Sequence, residues 1–135
     1  MARVVLPEWV VPAFDQVARV RRSATGTALR EPSRLGIARA LDWVAGIELV
    51  TPLTLFHDEP SLPRTLAERL CAYELLTGRP VPDSDYERLG YVPLAPDEGL
   101  MDTEYAGGVW HALAWLLGES RHQPGVRYQV RRVAG

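Results

Sequence analysis

An eleven-residue phrase occurs twice in this chain, and it limits the fold more than any other feature. Gly36-Ile37-Ala38-Arg39-Ala40-Leu41-Asp42-Trp43-Val44-Ala45-Gly46 returns 72 residues later as Gly108-Val109-Trp110-His111-Ala112-Leu113-Ala114-Trp115-Leu116-Leu117-Gly118. Both framing glycines, the Ala at 40 and 112, the Leu and the Trp are identical, and the pairs Ile37/Val109, Val44/Leu116 and Ala45/Leu117 stay apolar. Ile37, Ala40, Leu41 and Val44 fall at i, i+3, i+4 and i+7, one face of a helix, and Val109, Ala112, Leu113 and Leu116 repeat it. Residues 36–46 and 108–118 are therefore expected to be two pseudo-equivalent helices in the middle of a bundle, related by an approximate two-fold. Ala40 and Ala112 put a small residue mid-stripe, where another helix can come close. Trp43 and Trp115 fall on the flank, where a large aromatic closes the edge of a core and its indole nitrogen finds a partner. Two copies are too few for a solenoid.

The remaining segments predict a mostly α, single-domain bundle of about four long helices. The first opens at Pro7 or Pro12 and runs to about Ala24, with Val10, Phe14 and Val17 on one face and Arg19, Arg21 and Arg22 complementing the dipole of its last turns. The second covers about residues 33–45. The third opens at Ser61-Leu62-Pro63 and runs to Thr77, with Leu66, Leu70 and Tyr73 as its stripe and Thr65 with Glu68 as a candidate capping box. A short helical turn from about Asp83 to Leu89 carries a second capping box, Ser84 with Glu87. A Pro-rich crossing then leads to the fourth helix, about Thr103 to Leu117, capped by Asp102 or Thr103. Gly46, Gly78 and Gly118 stand as helix stops. Residues 47–56 and 126–133 read as extended; pairing them as a minor two-stranded element would shift the class to α+β. All 135 residues fit one helical domain, with 119–135 as an extended or flexible tail.

Composition removes several chemistries. The chain has no Lys and no Asn, its 15 basic side chains are all Arg, and Ile occurs only at 37 and 47. Loss of residues with AT-rich codons points to a GC-rich bacterial or phage genome. Without Lys there is no Schiff-base or pyridoxal-phosphate lysine and no Walker A loop. Cys71 is the sole thiol, so no disulfide framework and no cysteine metal cluster is expected. A net charge of −2 gives no bulk attraction to nucleic acid or anionic membrane. No apolar run is long enough for a membrane span, and MARVVLPEW lacks a signal-peptide core, so a cytoplasmic protein is expected.

Candidate sites are few. The two repeat copies differ at Arg39/His111, Asp42/Ala114 and Ala38/Trp110. A functional patch near the repeat is therefore expected at Trp110 and His111. Glu104 lies two turns before His111 and would share its face, where the pair could serve as base and orienter or as two metal ligands; side chains two turns apart seldom chelate one ion, however, and Glu104 in a first turn is more simply explained by the helix dipole. His57-Asp58-Glu59 reads as a solvated turn. The acidic run from Asp83 lacks the glycine and the twelfth-position acid of a calcium loop. Ser23, Ser61 and Ser120 have no nucleophile-elbow setting, and Gly107-Gly108 do not follow a strand as a phosphate loop would. Neither a catalytic group, a metal site nor a cofactor is expected.

The leading expectation is thus a non-enzymatic protein-binding protein (adaptor, regulatory or assembly factor) that binds another protein or its own copy. Its basis is the absence of a catalytic constellation beside four Trp and a fourth helix that is apolar on almost all sides. The first alternative is a small-molecule-binding protein or enzyme with a pocket between the repeat helices, lined by Trp43, Trp115, His111 and Glu104. The second is nucleic-acid binding through Arg127, Arg131 and Arg132 of the tail, weak evidence on a mildly acidic chain.

Overall fold

The computed structural model describes residues 6–25 and 31–124. Within them the chain is a helical bundle: α1 (Phe14–Thr25), α2 (Pro32–Val44), α3 (Leu62–Thr77), the short α4 (Asp83–Arg88) and α5 (Thr103–Leu116), with a 3-10 turn at Glu98–Leu100. The mostly α class follows the sequence periodicity. No strand forms over residues 47–56; a single antiparallel bridge joins Val50 to His57. Pro52 has no N–H to give a ladder, and the carbonyls of Pro52 and Leu53 are taken by Tyr105 and Asp97 instead. The second candidate strand, 126–133, lies outside the described residues, as does most of the expected 119–135 tail.

The repeat is the centre of the bundle. α5 packs against both α2 and α3, and α1 covers α2. A Cβ at Gly36 would overlap the carbonyl oxygen of Tyr105 and lie 3.1 Å from the Val109 nitrogen. A Cβ at Gly108 would overlap the carbonyl of Ser33, 2.8 Å from its carbon. Subtracting the 72-residue offset turns one contact into the other: 108 becomes 36, and 105 becomes 33. Each glycine of the pair meets the residue three before its counterpart, which is the reciprocity a two-fold requires. Ala40 and Ala112, one turn on from the glycines, are fully buried on the same close-packed stripe.

The helix ends match bond for bond. Gly46 donates to Trp43 and Gly118 to Trp115, both at 3.0 Å. Ile47 and Glu48 both donate to Asp42, as Glu119 and Ser120 do to Ala114. The cap glycines have φ of 79° and 78°, the left-handed region that ends a helix cheaply only at Gly. The backbone repeat therefore runs two residues past the sequence repeat.

Five local expectations change. α1 starts at Phe14, because Pro7 to Pro12 form a strap that hands the Val11 N–H to the Leu116 carbonyl at 2.8 Å. Its core face is Val17, Val20 and Ala24, which leaves Phe14 half exposed. α3 is capped by Ser61, whose hydroxyl accepts the Arg64 N–H, so Thr65 and Glu68 are no capping box. Its buried face is Arg64, Thr65, Ala67, Glu68, Cys71 and Ala72, while Leu66, Leu70 and Tyr73 are only half-buried: the small residues let α3 approach α5. α4 starts after Pro82 with no side-chain cap, so Ser84 lies within the helix and does not cap it. Asp102 caps α5, accepting from Glu104 and Tyr105.

Candidate functional site: a loop mounted on a buried ion pair

Where α2 ends, the chain turns back on itself through residues 47–58, and the interior of the protein holds this turn from several sides. Glu68, on α3, is fully buried. Its Oε1 accepts the N–H groups of Leu53 (3.0 Å) and Thr54 (3.2 Å), and its Oε2 accepts the Thr54 hydroxyl at 2.7 Å. Because Thr54 gives its single proton to Glu68, Thr51 must be the donor across the 2.7 Å contact between the two hydroxyls. Thr51 in turn accepts the Phe56 N–H at 3.0 Å. Every neighbour thus donates to Glu68, which fits the ionised carboxylate. Burial nevertheless pushes its pKa above the usual carboxylate value, opposed by the Thr54 hydroxyl, the Leu53 N–H, Arg64 and the Thr54 N–H.

Arg64, one turn earlier on α3, supplies the compensating charge. Its guanidinium donates to Thr54 Oγ1 at 2.9 Å, lies 3.4 Å from Glu68 and 3.8 Å from Asp58. The rings of Phe56 and Tyr91 flank it with centroids at 5.4 and 5.1 Å. Three further ties come from elsewhere: the Trp43 indole donates to the Asp58 carbonyl at 2.9 Å, the Tyr105 hydroxyl to Pro52, and the Asp97 N–H to Leu53 at 2.9 Å. Burial raises the Tyr105 hydroxyl above its ordinary pKa, keeping it protonated as that donor.

At the tip Leu55 has a φ of 56°, a left-handed conformation costly for a residue with a γ-branched side chain. Phe56 follows with 56% of its surface exposed, and Leu49 on the facing arm with 66%. Glu48, Asp58 and Glu59 line, with Leu49 and His57, an open groove of about 390 Å³. A separate apolar cleft of about 260 Å³ lies between α1 and the end of α2. Leu6, Phe14, Leu41 and Ile47 line it, with Arg21 and Arg22.

The residues singled out from sequence do not assemble here as one group. Trp43 is fully buried and serves the loop through its indole N–H. Trp115 is a core residue. Trp110 and His111 are half-buried and meet edge to face, 5.1 Å between centroids at 82°. Burial lowers the His111 pKa. Glu104 is exposed in the first turn of α5. The repeat helices touch through backbone at Gly36 and Gly108, so their crossing is filled. α5 is apolar all round because it is central: ten of its 14 residues are buried. Arg127, Arg131 and Arg132 lie outside the described residues. Among the described residues no three His, Cys, Asp or Glu side chains converge as a metal site would require, and no helix is long and apolar enough to cross a membrane.

Sequence reading missed Arg64, Glu68, Thr51 and Thr54. The available signal was an Arg and a Glu one turn apart on the small-residue side of α3, opposite a loop with two threonines three residues apart. Together the fold and the site define a helical protein that carries one rigidly mounted loop. No protein-family model, curated protein or solved structure matches the chain.

Proposed function

We propose that this chain is a small non-enzymatic protein-binding protein, an adaptor, regulatory or assembly factor of the cytoplasm, and that residues 47–59 are its binding element. One observation carries the reading: a dehydrated ion pair is committed to holding a loop whose apolar tip points into water. A buried Arg–Glu pair is a poor way to stabilise a fold, since desolvation offsets most of its attraction. Left-handed Leu55 adds cost, and Leu49 with the greater part of the Phe56 surface stays in water in the isolated chain. A partner surface that covers these apolar groups recovers that cost, with the loop already ordered before binding.

The reading is tested by placing a benzoyl-phenylalanine photo-crosslinker at Phe56, at Leu49 and, as a control away from the loop, at exposed Val11. Irradiation in the native host is expected to give a protein adduct from the two loop positions only, identified by mass spectrometry. Glu68→Gln, which loosens the loop, should abolish it. No adduct from either loop position in a folded protein overturns the reading.

A further inference from the structure

The Pro-rich crossing from α4 to α5 contains a strap, Tyr91-Val92-Pro93-Leu94-Ala95-Pro96-Asp97, built as a polyproline II helix. Proline fixes φ at Pro93 and Pro96, and steric contact with each ring drives the residue before it, Val92 and Ala95, to an extended ψ. Asp97 has φ −58° and ψ 142°, in the same region. Burial follows the three-residue period of that helix. Tyr91 and Leu94 turn inward, Leu94 against the core and the Tyr91 ring over Arg64, whereas Val92, Pro93 and Ala95 are exposed and Pro96 is half-buried. Val92 keeps 75% of its surface in water. Both ends are tied: Tyr91 donates its N–H to the Tyr86 carbonyl at 3.1 Å and Asp97 to the Leu53 carbonyl at 2.9 Å. Between them, among the described residues, the N–H groups of Val92, Leu94 and Ala95 reach no backbone carbonyl.

Such a helix has three edges, and the core of this protein takes only one. The other two carry Val92 with Ala95 and Pro93 with Pro96. At about 3.1 Å per residue, the apolar-Pro pairs Val92-Pro93 and Ala95-Pro96 recur about 9 Å apart on the same side. Aromatic ring faces fit a ridge of this kind: pyrrolidine rings and the small apolar residue before each pack flat against them, and Trp or Tyr donors between the rings reach the strap's unused carbonyls. The strap is ordered before binding, which lowers the entropy cost of docking. Exposed Glu98 follows it and makes no ion pair among the described residues, so a cation complements that end. We infer that residues 92–96 dock into an aromatic-lined groove of a partner protein, with Val92-Pro93 and Ala95-Pro96 in adjacent pockets and a basic side chain of the partner beside Glu98. This surface is additional to the loop and does not depend on it.

The test places benzoyl-phenylalanine at Val92 of the full chain, irradiates it in the native host and in its lysate, and maps the crosslinked peptide by mass spectrometry. The adduct is expected on a partner peptide that contains Trp, Tyr or Phe. Ala95→Asp, at an exposed position and with folding checked by circular dichroism, should cut the adduct about ten-fold or more, because it drives a carboxylate into an apolar pocket. Ala95→Val, which keeps the apolar-Pro pair, should retain it. A ten-residue proline peptide, a generic polyproline II competitor, should suppress the adduct in lysate, and Glu98→Arg should weaken it. No adduct from Val92 in a folded protein overturns the inference, as does an adduct that survives both Ala95→Asp and the proline peptide, or one on a peptide without aromatic residues. The Phe56 adduct reads the loop separately: its loss with the Val92 adduct intact overturns the loop reading alone.

Discussion

Gly108 lies so close to the carbonyl of Ser33 that no side chain fits between α5 and α2, and Gly36 stands in the matching relation to Tyr105. The neighbouring Gly107 is different: a Cβ there would meet only Leu76 Cδ1, at an ordinary 3.5 Å. Adjacent glycines on one helix therefore have opposite roles, one required by packing and one not.

Gly108→Ala should accordingly destabilise the fold by about 2–3 kcal/mol, the overpacking cost exceeding the gain in helix propensity. Gly107→Ala should be neutral or stabilising by up to about 1 kcal/mol. Urea unfolding of the two variants, one residue apart, reads the difference in sign.

Glu68→Gln keeps the size of the side chain but puts an amide N–H where donors already converge and leaves buried Arg64 with only the more distant, partly exposed Asp58 carboxylate. A loss of about 3 kcal/mol is expected, in the range for breaking one side of a buried pair. Amide exchange should accelerate first at Leu53 and Thr54, the two N–H groups that the carboxylate holds. Uniform loss of protection across all helices would contradict the loop-mounting role.

Leu55→Gly should show strain being released. A left-handed Leu costs about 1–2 kcal/mol, offset by glycine's extra unfolded-state freedom of about 0.5–1 kcal/mol and by the burial lost from a residue that is 36% exposed, so a net loss of no more than about 1 kcal/mol is expected, against the about 2–5 kcal/mol of an unstrained buried Leu truncation. The same variant should weaken binding, since the tip loses both an apolar group and its fixed backbone. Chemical denaturation beside the crosslinking assay checks both parts.

Acid should weaken the fold through His111. Its folded pKa lies below the ordinary 6.5, so the unfolded chain takes up the proton first and binds more protons near that pH. Stability is then present above 6.5 and lost as pH falls through it. Glu68, with its raised pKa, contributes in the opposite sense, so the comparison must be between wild type and His111→Gln. The variant should show a flatter dependence of unfolding free energy on pH between about 7.5 and 5.5.

Cys71 gives an alkaline counterpart. Burial, with Glu68 and Glu74 nearby, pushes its thiol up to about 12 from 9.0. The unfolded thiol ionises first, so the stability it contributes is complete below 9.0 and lost as pH rises towards 12. At pH 8 the folded protein should react with a disulfide reagent far more slowly than the urea-unfolded chain. Rapid labelling of folded protein would show Cys71 to be accessible.

The repeated phrase was enough to predict the helical class, the two central helices and their glycine stops, because helical period and left-handed caps are local properties. Trp43 was also legible in part: its flank position implied an indole hydrogen bond, though not that the acceptor would be the Asp58 carbonyl. What the repeat could not show is why the first glycine of each copy is there. Gly36 and Gly108 have no local reason to be glycine; each is required by a carbonyl of the other repeat helix, that of Tyr105 for Gly36 and that of Ser33 for Gly108. The apolar surround of α5 had two readings from sequence, central helix or interface, and only its packing between α2 and α3 chose the first. Glu68 reads as half of a capping box and Arg64 carries no signal of its own; both are given their role only when the fold closes residues 51–54 over them. Periodicity reports which face of a helix is apolar, but burial of a charge depends on what the rest of the chain brings to meet it. For that reason the loop proposed here as the binding element was legible in sequence only as an extended segment, strand or apolar loop, followed by a polar turn.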